Sequence, residues 1–186
     1  MKSSTPPPLR LSILAALLFT ASLHAGTYTG TSLTDSPAAT ANDGTLRGAI
    51  LAANADGSAA NIVFSVSGGG TITLAANAGG SRMLPILTNV NGISIDGANG
   101  GNGTVVIDGG STSNSTGDRI FFVGVSTDTA NGSLLATTSA TWSFSNLTLQ
   151  NGNAQGGSAN AGGGGGAGLG GAVFVNAGNA SFSNVD

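Results

Sequence analysis

The 186-residue sequence has no cysteine and no glutamate, and it holds one lysine, one histidine, one tryptophan and one tyrosine. Charged residues make up only 7% of it. Each shortage excludes something. Without cysteine no disulfide can staple the chain, so packing and backbone hydrogen bonds must hold it. Glutamate and lysine fill the exposed surfaces of most helices, and their scarcity argues against a largely helical fold. Five Lys+Arg residues cannot neutralise a phosphate backbone, which argues against nucleic acid as a partner and against a polybasic grip on anionic lipid. The acids are all aspartate: Asp35, Asp43, Asp56, Asp96, Asp108, Asp118, Asp128 and Asp186. What is abundant is glycine, at 32 residues, with Asn, Ser and Thr, the residues of turns and strand edges. Apolar residues still reach 40%, too many for a disordered chain of low hydrophobicity and high charge.

Residues 1–25 have the order of a secretory signal peptide: Lys2 and Arg10, an uncharged apolar run over 11–23, then Ala25 as a small residue at the expected cut. The run is shorter than the roughly 20 residues of a spanning helix. Cleavage after Ala25 removes Lys2 and His24. Three arginines (Arg47, Arg82, Arg119) then face eight aspartates, a net charge of −5.

Residues 27–34 are threonine-rich and β-like. In the following segment Leu46, Ile50 and Ala53 fall at i, i+4 and i+7, on one face of a short helix, with Asp43 or Thr45 to cap its start and residues 54–57 to stop it. Beyond Ala60, short β-rich runs alternate with Gly/Asn/Ser turns: 62–66, 71–75, 93–96, 104–108, 119–125, 142–149, 172–176 and 180–185. The alternation in 142–149 slips once at Asn146, which predicts a corner or bulge there. Two short repeats stand out. Ser94-Ile95-Asp96-Gly97 returns as Val106-Ile107-Asp108-Gly109, and Phe144-Ser145-Asn146-Leu147 as Phe182-Ser183-Asn184-Val185. Self-similarity of this kind points to stacked repeats, each burying its face on the next, with an eight-stranded sandwich as the competing architecture.

The segment Gly44-Thr45-Leu46-Arg47-Gly48-Ala49-Ile50-Leu51-Ala52-Ala53-Asn54 resembles the "S-L-R-E-A-I-x-x-A-N" opening of bacterial right-handed parallel β-helix surface proteins: adhesin-like proteins, polymorphic outer-membrane proteins and autotransporter passengers. Leu46, Arg47, Ala49, Ile50, Ala53 and Asn54 match; Gly48 replaces the usual acid, and the cysteine that often precedes the motif is absent. Asn61-Ile62-Val63-Phe64 is similar to the family's "D-T-I-x-F" strand. Residues 144–154 are similar to its "NLTLxNGxA" coil, and residues 162–175 to its glycine-rich approach to a "GGAxFV" strand. The similarity covers residues 42–186 and is loose over 97–140. It implies an all-β right-handed parallel β-helix, a solenoid whose first coil is capped by the short helix. The organisation expected is a signal peptide over 1–25, an N-terminal cap over 26–60, and coils over 61–186. No closing cap and no C-terminal barrel are seen, so the chain reads as truncated, with any membrane anchor beyond it.

The chemistry on offer is thin. Gly166-Ala167-Gly168-Leu169-Gly170-Gly171 fits G-x-G-x-x-G, but it leads into a strand where a dinucleotide site opens a helix, and it reads as a loop. No Walker lysine follows it. The glycine run lacks the aspartates of calcium-binding repeats, and Asp96 and Asp108 are the least poor metal candidates. The same two residues would be the acid and base of a glycoside-cleaving pair if neighbouring coils stacked them, though each precedes glycine, where aspartate usually shapes a turn. Trp142, Phe144 and Phe182 are expected in the core. Phe121 and Phe122 are adjacent, so one should point outward, and residues 119–123 are a candidate partner contact. No catalytic, cofactor or metal residue is assigned. The expectation is a non-catalytic scaffold, secreted to the bacterial outer membrane or cell surface, which meets a host or cell-surface protein or glycan. The runner-up is a polysaccharide hydrolase or lyase whose catalytic residues lie mostly beyond Asp186.

Overall fold

The computed structural model describes residues 24–110, 118–124, 140–155 and 167–186. The expected signal peptide therefore lies outside the described residues except for His24 and Ala25, and so do Asp128, Gly166 and the end of the 119–125 run. The described chain is mostly β with one helix. Seven strands form a curled, open, half-barrel sheet, and two more pair beside it. The order is β1 (Gly26–Gly30), α1 (Leu46–Ala55), β2 (Ala60–Phe64), β3 (Gly70–Thr73), β4 (Ile93–Asp96), β5 (Val105–Asp108), β6 (Phe121–Val123), β7 (Thr141–Gln150), β8 (Val173–Val175) and β9 (Asn179–Val185).

Every strand pairing among the described residues is parallel, which excludes the antiparallel sandwich. The pairings fall into three columns. In the first, β1, β2, β4, the front of β7 and β9 lie side by side; Tyr28, Ile62, Ile95, Phe144 and Phe182 occupy one register line. The second holds β3, β5 and the back of β7, with Ile72, Ile107 and Leu149 in line. The third holds β6 and β8, extended by a parallel bridge from Leu87 to Val123. Between β1 and β2 the chain passes through α1; from β2 onward its strands come in the order first, second and third column. Along the first column it passes from Thr27 to Asn61, Ser94, Ser143 and Ser181, advances of 34, 33, 49 and 38 residues.

Asn146 makes the corner that the broken alternation predicts. It sits at φ 53°, a left-handed conformation that asparagine tolerates better than most residues. The turn lets residues 143–145 pair with β4 and residues 147–150 with β5. The repeat of Phe144-Ser145-Asn146-Leu147 in Phe182-Ser183-Asn184-Val185 is a stacked pair in register: Phe144 lies beside Phe182, Ser145 beside Ser183 and Leu147 beside Val185. The other repeat differs from expectation. Ser94–Gly97 and Val106–Gly109 do not stack; both sit beside β7, one on each side of its corner. They match because they solve the same local problem. Each aspartate accepts the N–H two residues on (Ala98 at 3.0 Å, Gly110 at 2.7 Å), and each glycine passes under the next strand's backbone. A Cβ on Gly97 would lie 2.2 Å from the Asn146 carbonyl oxygen.

α1 forms where the periodicity places it. The Thr45 hydroxyl accepts the Gly48 N–H at 2.9 Å, a side-chain N-cap, and Asp43 braces Thr45 in turn. Leu46, Ala49, Ile50 and Ala53 are buried against β1 and β2 in the single core that also holds Ile62, Ile95, Phe121, Trp142 and Phe144. The glycine standing where the resembling family has an acid has a steric cause: a Cβ on Gly48 would meet the Thr40 carbonyl at 2.5 Å. Arg47, beside it, is buried. Its guanidinium makes a two-pronged pair with Asp35 at 2.9 and 2.8 Å and donates to the Met83 carbonyl at 2.8 Å. Asp35 also accepts the Ala75 N–H at 2.9 Å, so one ion pair ties the helix to three distant segments. Asn54 serves a similar purpose, donating to the Ile86 carbonyl at 2.7 Å and accepting the Thr88 N–H at 2.8 Å, as a neighbouring strand would.

Candidate functional site

Asp96 and Asp108 end β4 and β5 on the outer surface of the sheet, half-buried. They are not a pair. Asp96 lies beside Ser145 and Asp108 beside Gln150, so about 16 Å of strand and the Asn146 corner separate them. Carboxylates that cut a glycosidic bond together stand roughly 5–9.5 Å apart. Both are also occupied. Asp96 Oδ1 accepts the Ala98 N–H and the Asn146 side-chain amide at 2.8 Å; Asp108 accepts the Gly110 N–H and the side-chain amides of Asn151 and Gln150, at 3.1 and 3.0 Å.

Burial raises the Asp96 carboxyl, but the hydrogen bonds from Asn146, Ala98 and Ser145 outweigh it and hold the group below its ordinary value. At Asp108 burial likewise raises, and Gly110, Asn151 and Gln150 together lower it further. A general acid needs the opposite shift. Because both groups are depressed in the folded state, their contribution to stability is present above the ordinary aspartate value near 3.8 and is lost as pH falls through the lowered folded values. The urea midpoint should therefore be flat between about pH 7 and pH 5 and fall below about pH 4, and the Asp96→Asn, Asp108→Asn double variant should show a shallower fall.

Asn146 hands the interaction on. Its Oδ1 accepts the Asn184 amide at 3.0 Å, and Asn184 holds the same left-handed conformation, φ 54°. Asp96, Asn146 and Asn184 form a polar ladder up the corner of the sheet. Beside it the Ser181 hydroxyl donates to Ser143 Oγ at 3.0 Å.

The second outward-facing feature is on the third column, in the segment singled out as a partner contact. Phe121 is buried and Phe122 points outward, as their adjacency requires. Phe122 meets Phe174 of the next strand edge to face, ring centres 5.1 Å apart. The Arg119 guanidinium lies over both rings, 4.8 Å from Phe174 and 5.5 Å from Phe122, and donates to the Leu169 carbonyl at 3.0 Å. Beside it is a cleft of about 150 Å³ lined by Met83, Asp118, Arg119, Ala154 and Gln155. Asp118 Oδ2 accepts the Arg82 N–H at 2.6 Å, which fixes one wall. The cleft offers a guanidinium, a carboxylate and an amide within a small space, a set suited to gripping hydroxyls or a carboxylate. Phe174, Asp118 and Gln155 were not foreseen from the sequence. Only the outward place of Phe174 in the alternation Val173-Phe174-Val175 could have marked one of them.

Trp142 and Phe144 are buried as expected, but Phe182 is 51% exposed. β9 is the edge of its column, so nothing among the described residues covers the outer side of the ring. Residues 167–171 of the glycine-rich segment lead into β8 and open no helix. Among the described residues no three His, Cys, Asp or Glu side chains gather as a metal site would require, and no helix is long and apolar enough to cross a membrane. No protein-family model, curated protein or solved structure matches the chain.

Proposed function

We propose that the chain is a right-handed parallel β-helix, capped at its first coil by α1, that serves as a non-catalytic scaffold on a bacterial surface. In this reading it is exported by its leader and belongs with adhesin-like proteins or autotransporter passengers. Its outer surfaces meet a host or cell-surface protein or glycan. The observation that carries the reading is the return of the chain to the same three columns in parallel register, because a stack of coils exists to project long side-chain ladders. The occupied and separated Asp96 and Asp108 favour it over a polysaccharide-cleaving enzyme. The Arg119, Phe122 and Phe174 cluster is the contact surface this reading selects, since aromatic and arginine side chains supply most binding energy at protein surfaces.

The test is to offer the purified chain both acidic polysaccharides and an array of glycans and surface proteins. Saturable binding that Arg119→Ala or Phe174→Ser weakens on the order of tenfold, with no depolymerisation, is the expected result. Chain cleavage of an acidic polysaccharide would overturn the non-catalytic reading in favour of a hydrolase or lyase.

A further inference from the structure

Where asparagine precedes glycine, the glycine nitrogen can attack the asparagine side chain, because no Cβ shields it or restricts its approach. The described residues hold four such pairs: Asn91-Gly92, Asn99-Gly100, Asn102-Gly103 and Asn151-Gly152. A fifth, Asn131-Gly132, lies outside the described residues. Three of the four are held. Asn91 donates its side-chain amide to the Gly57 carbonyl at 3.0 Å, and the Gly92 N–H donates to the Asn89 carbonyl at 3.0 Å. Asn99 is 2% exposed; its side chain accepts the Val66 N–H at 2.8 Å and donates to the Val66 carbonyl at 2.6 Å. Asn151 donates to Asp108 Oδ1 at 3.1 Å, and Gly152 lies against the Gly171 carbonyl, 2.3 Å from where a Cβ would stand.

Asn102 is different. It follows the 3-10 turn Asn99–Gly101, in the connection from β4 to β5, and it is exposed. Its backbone is bonded: the N–H donates to the Asn99 carbonyl at 3.0 Å, and the carbonyl accepts from Asn99 Nδ2 at 3.3 Å. Among the described residues its side-chain amide makes no hydrogen bond, and neither does the Gly103 N–H. Gly101 at φ 85° and Gly103 at φ 100° flank it, with no atom within 4 Å of where a Gly101 Cβ would stand. Two glycines let the peptide between Asn102 and Gly103 rotate from its ψ of 28° and bring the nitrogen up to the side-chain carbon.

We propose that Asn102 is a site of spontaneous covalent modification, deamidation through a cyclic imide. The Gly103 nitrogen gives its proton to solvent hydroxide and bonds to Asn102 Cγ. The Cγ–Nδ2 bond breaks, and Nδ2 takes a proton from water and leaves as ammonia. Water then adds to either imide carbonyl, leaving aspartate or isoaspartate and a negative charge that the turn lacked. One water is consumed, one ammonia is released, and nothing is oxidised or reduced. This inference rests on how four turns hold their asparagines and is independent of the proposed surface role.

The full chain is kept folded in warm, mildly alkaline buffer and sampled over weeks, with circular dichroism to confirm that it stays folded. Fragment-ion mass spectrometry places each amide-to-acid change on its residue. A parallel sample in urea is the reference in which no fold protects any pair. Asn91, Asn99 and Asn151 must first give up hydrogen bonds, so Asn102 should lose its amide about tenfold or more faster than each of them. Urea should narrow that gap to within about threefold. A folded-state rate at Asn102 no faster than at the other three would overturn the proposal. So would a gap that urea leaves unchanged, which would place its cause in the neighbouring residues and not in the fold.

Discussion

Replacing Asp35 with alanine should destabilise the protein by about 3–5 kcal/mol, a large part of the roughly 5–15 kcal/mol that holds a typical domain together. The Asp35 side chain has no exposure and that of Arg47 only 10%, so water cannot take over the lost partner. The substitution leaves a guanidinium buried beside the Arg82 and Met83 carbonyls without its counter-charge, and it strands the Ala75 N–H as well. The cost is that of an uncompensated charge and not of the pair itself, because two buried ions give back much of their attraction in lost hydration. Adding Arg47→Met should therefore recover most of the loss. Urea unfolding followed by the fluorescence of Trp142, which is buried and the only tryptophan, reads both variants. A loss under about 1 kcal/mol for Asp35→Ala would mean the pair behaves as a surface ion pair.

Phe144→Ala should cost about 3–5 kcal/mol, and Phe182→Ala far less. Both phenylalanines occupy the same place in their repeats, and both rings lie in one stack. Phe144 is 1% exposed and also packs against Phe121, ring centres 5.0 Å apart, so truncation opens a cavity that β-strands cannot collapse to fill. Phe182, half exposed, loses contact on one side only. Measured by the same unfolding transition, equal losses at the two positions would show that β9 is covered as well as β7.

The difference between these two residues marks what a sequence can and cannot reveal here. Local features were legible. Leu46, Ile50 and Ala53 fall on one helical face because helical period is written in spacing, and the phase slip at Asn146 is the left-handed corner itself. The repeat of Phe144-Ser145-Asn146-Leu147 was legible as stacking because a repeated motif sets aromatic on aromatic and hydroxyl on hydroxyl across neighbouring strands. The matching repeat at Asp96 and Asp108 misled, because the same Asp-Gly turn serves two strands beside one bent strand as readily as two strands that pair with each other. Period-two alternation assigns a residue to the inner or outer surface of a strand, but not to a neighbour. That is why Phe182 was expected to be covered and why the meeting of Arg119, Phe122 and Phe174 over a 52-residue separation, Phe122 to Phe174, was not seen in advance. Arg47 and Asp35, 12 residues apart, join through a loop that carries no periodic signal.

The most direct test of the account is the distance across the first column. Spin labels placed at Thr27 and Ser181, with unlabelled chain in excess to suppress contacts between copies, should report one narrow separation. The register puts four strand spacings between the two positions, about 19 Å between backbones. A narrow distribution near that value is the result the parallel stack predicts. A broad distribution, or one centred beyond about 30 Å, well outside four strand spacings, would contradict it.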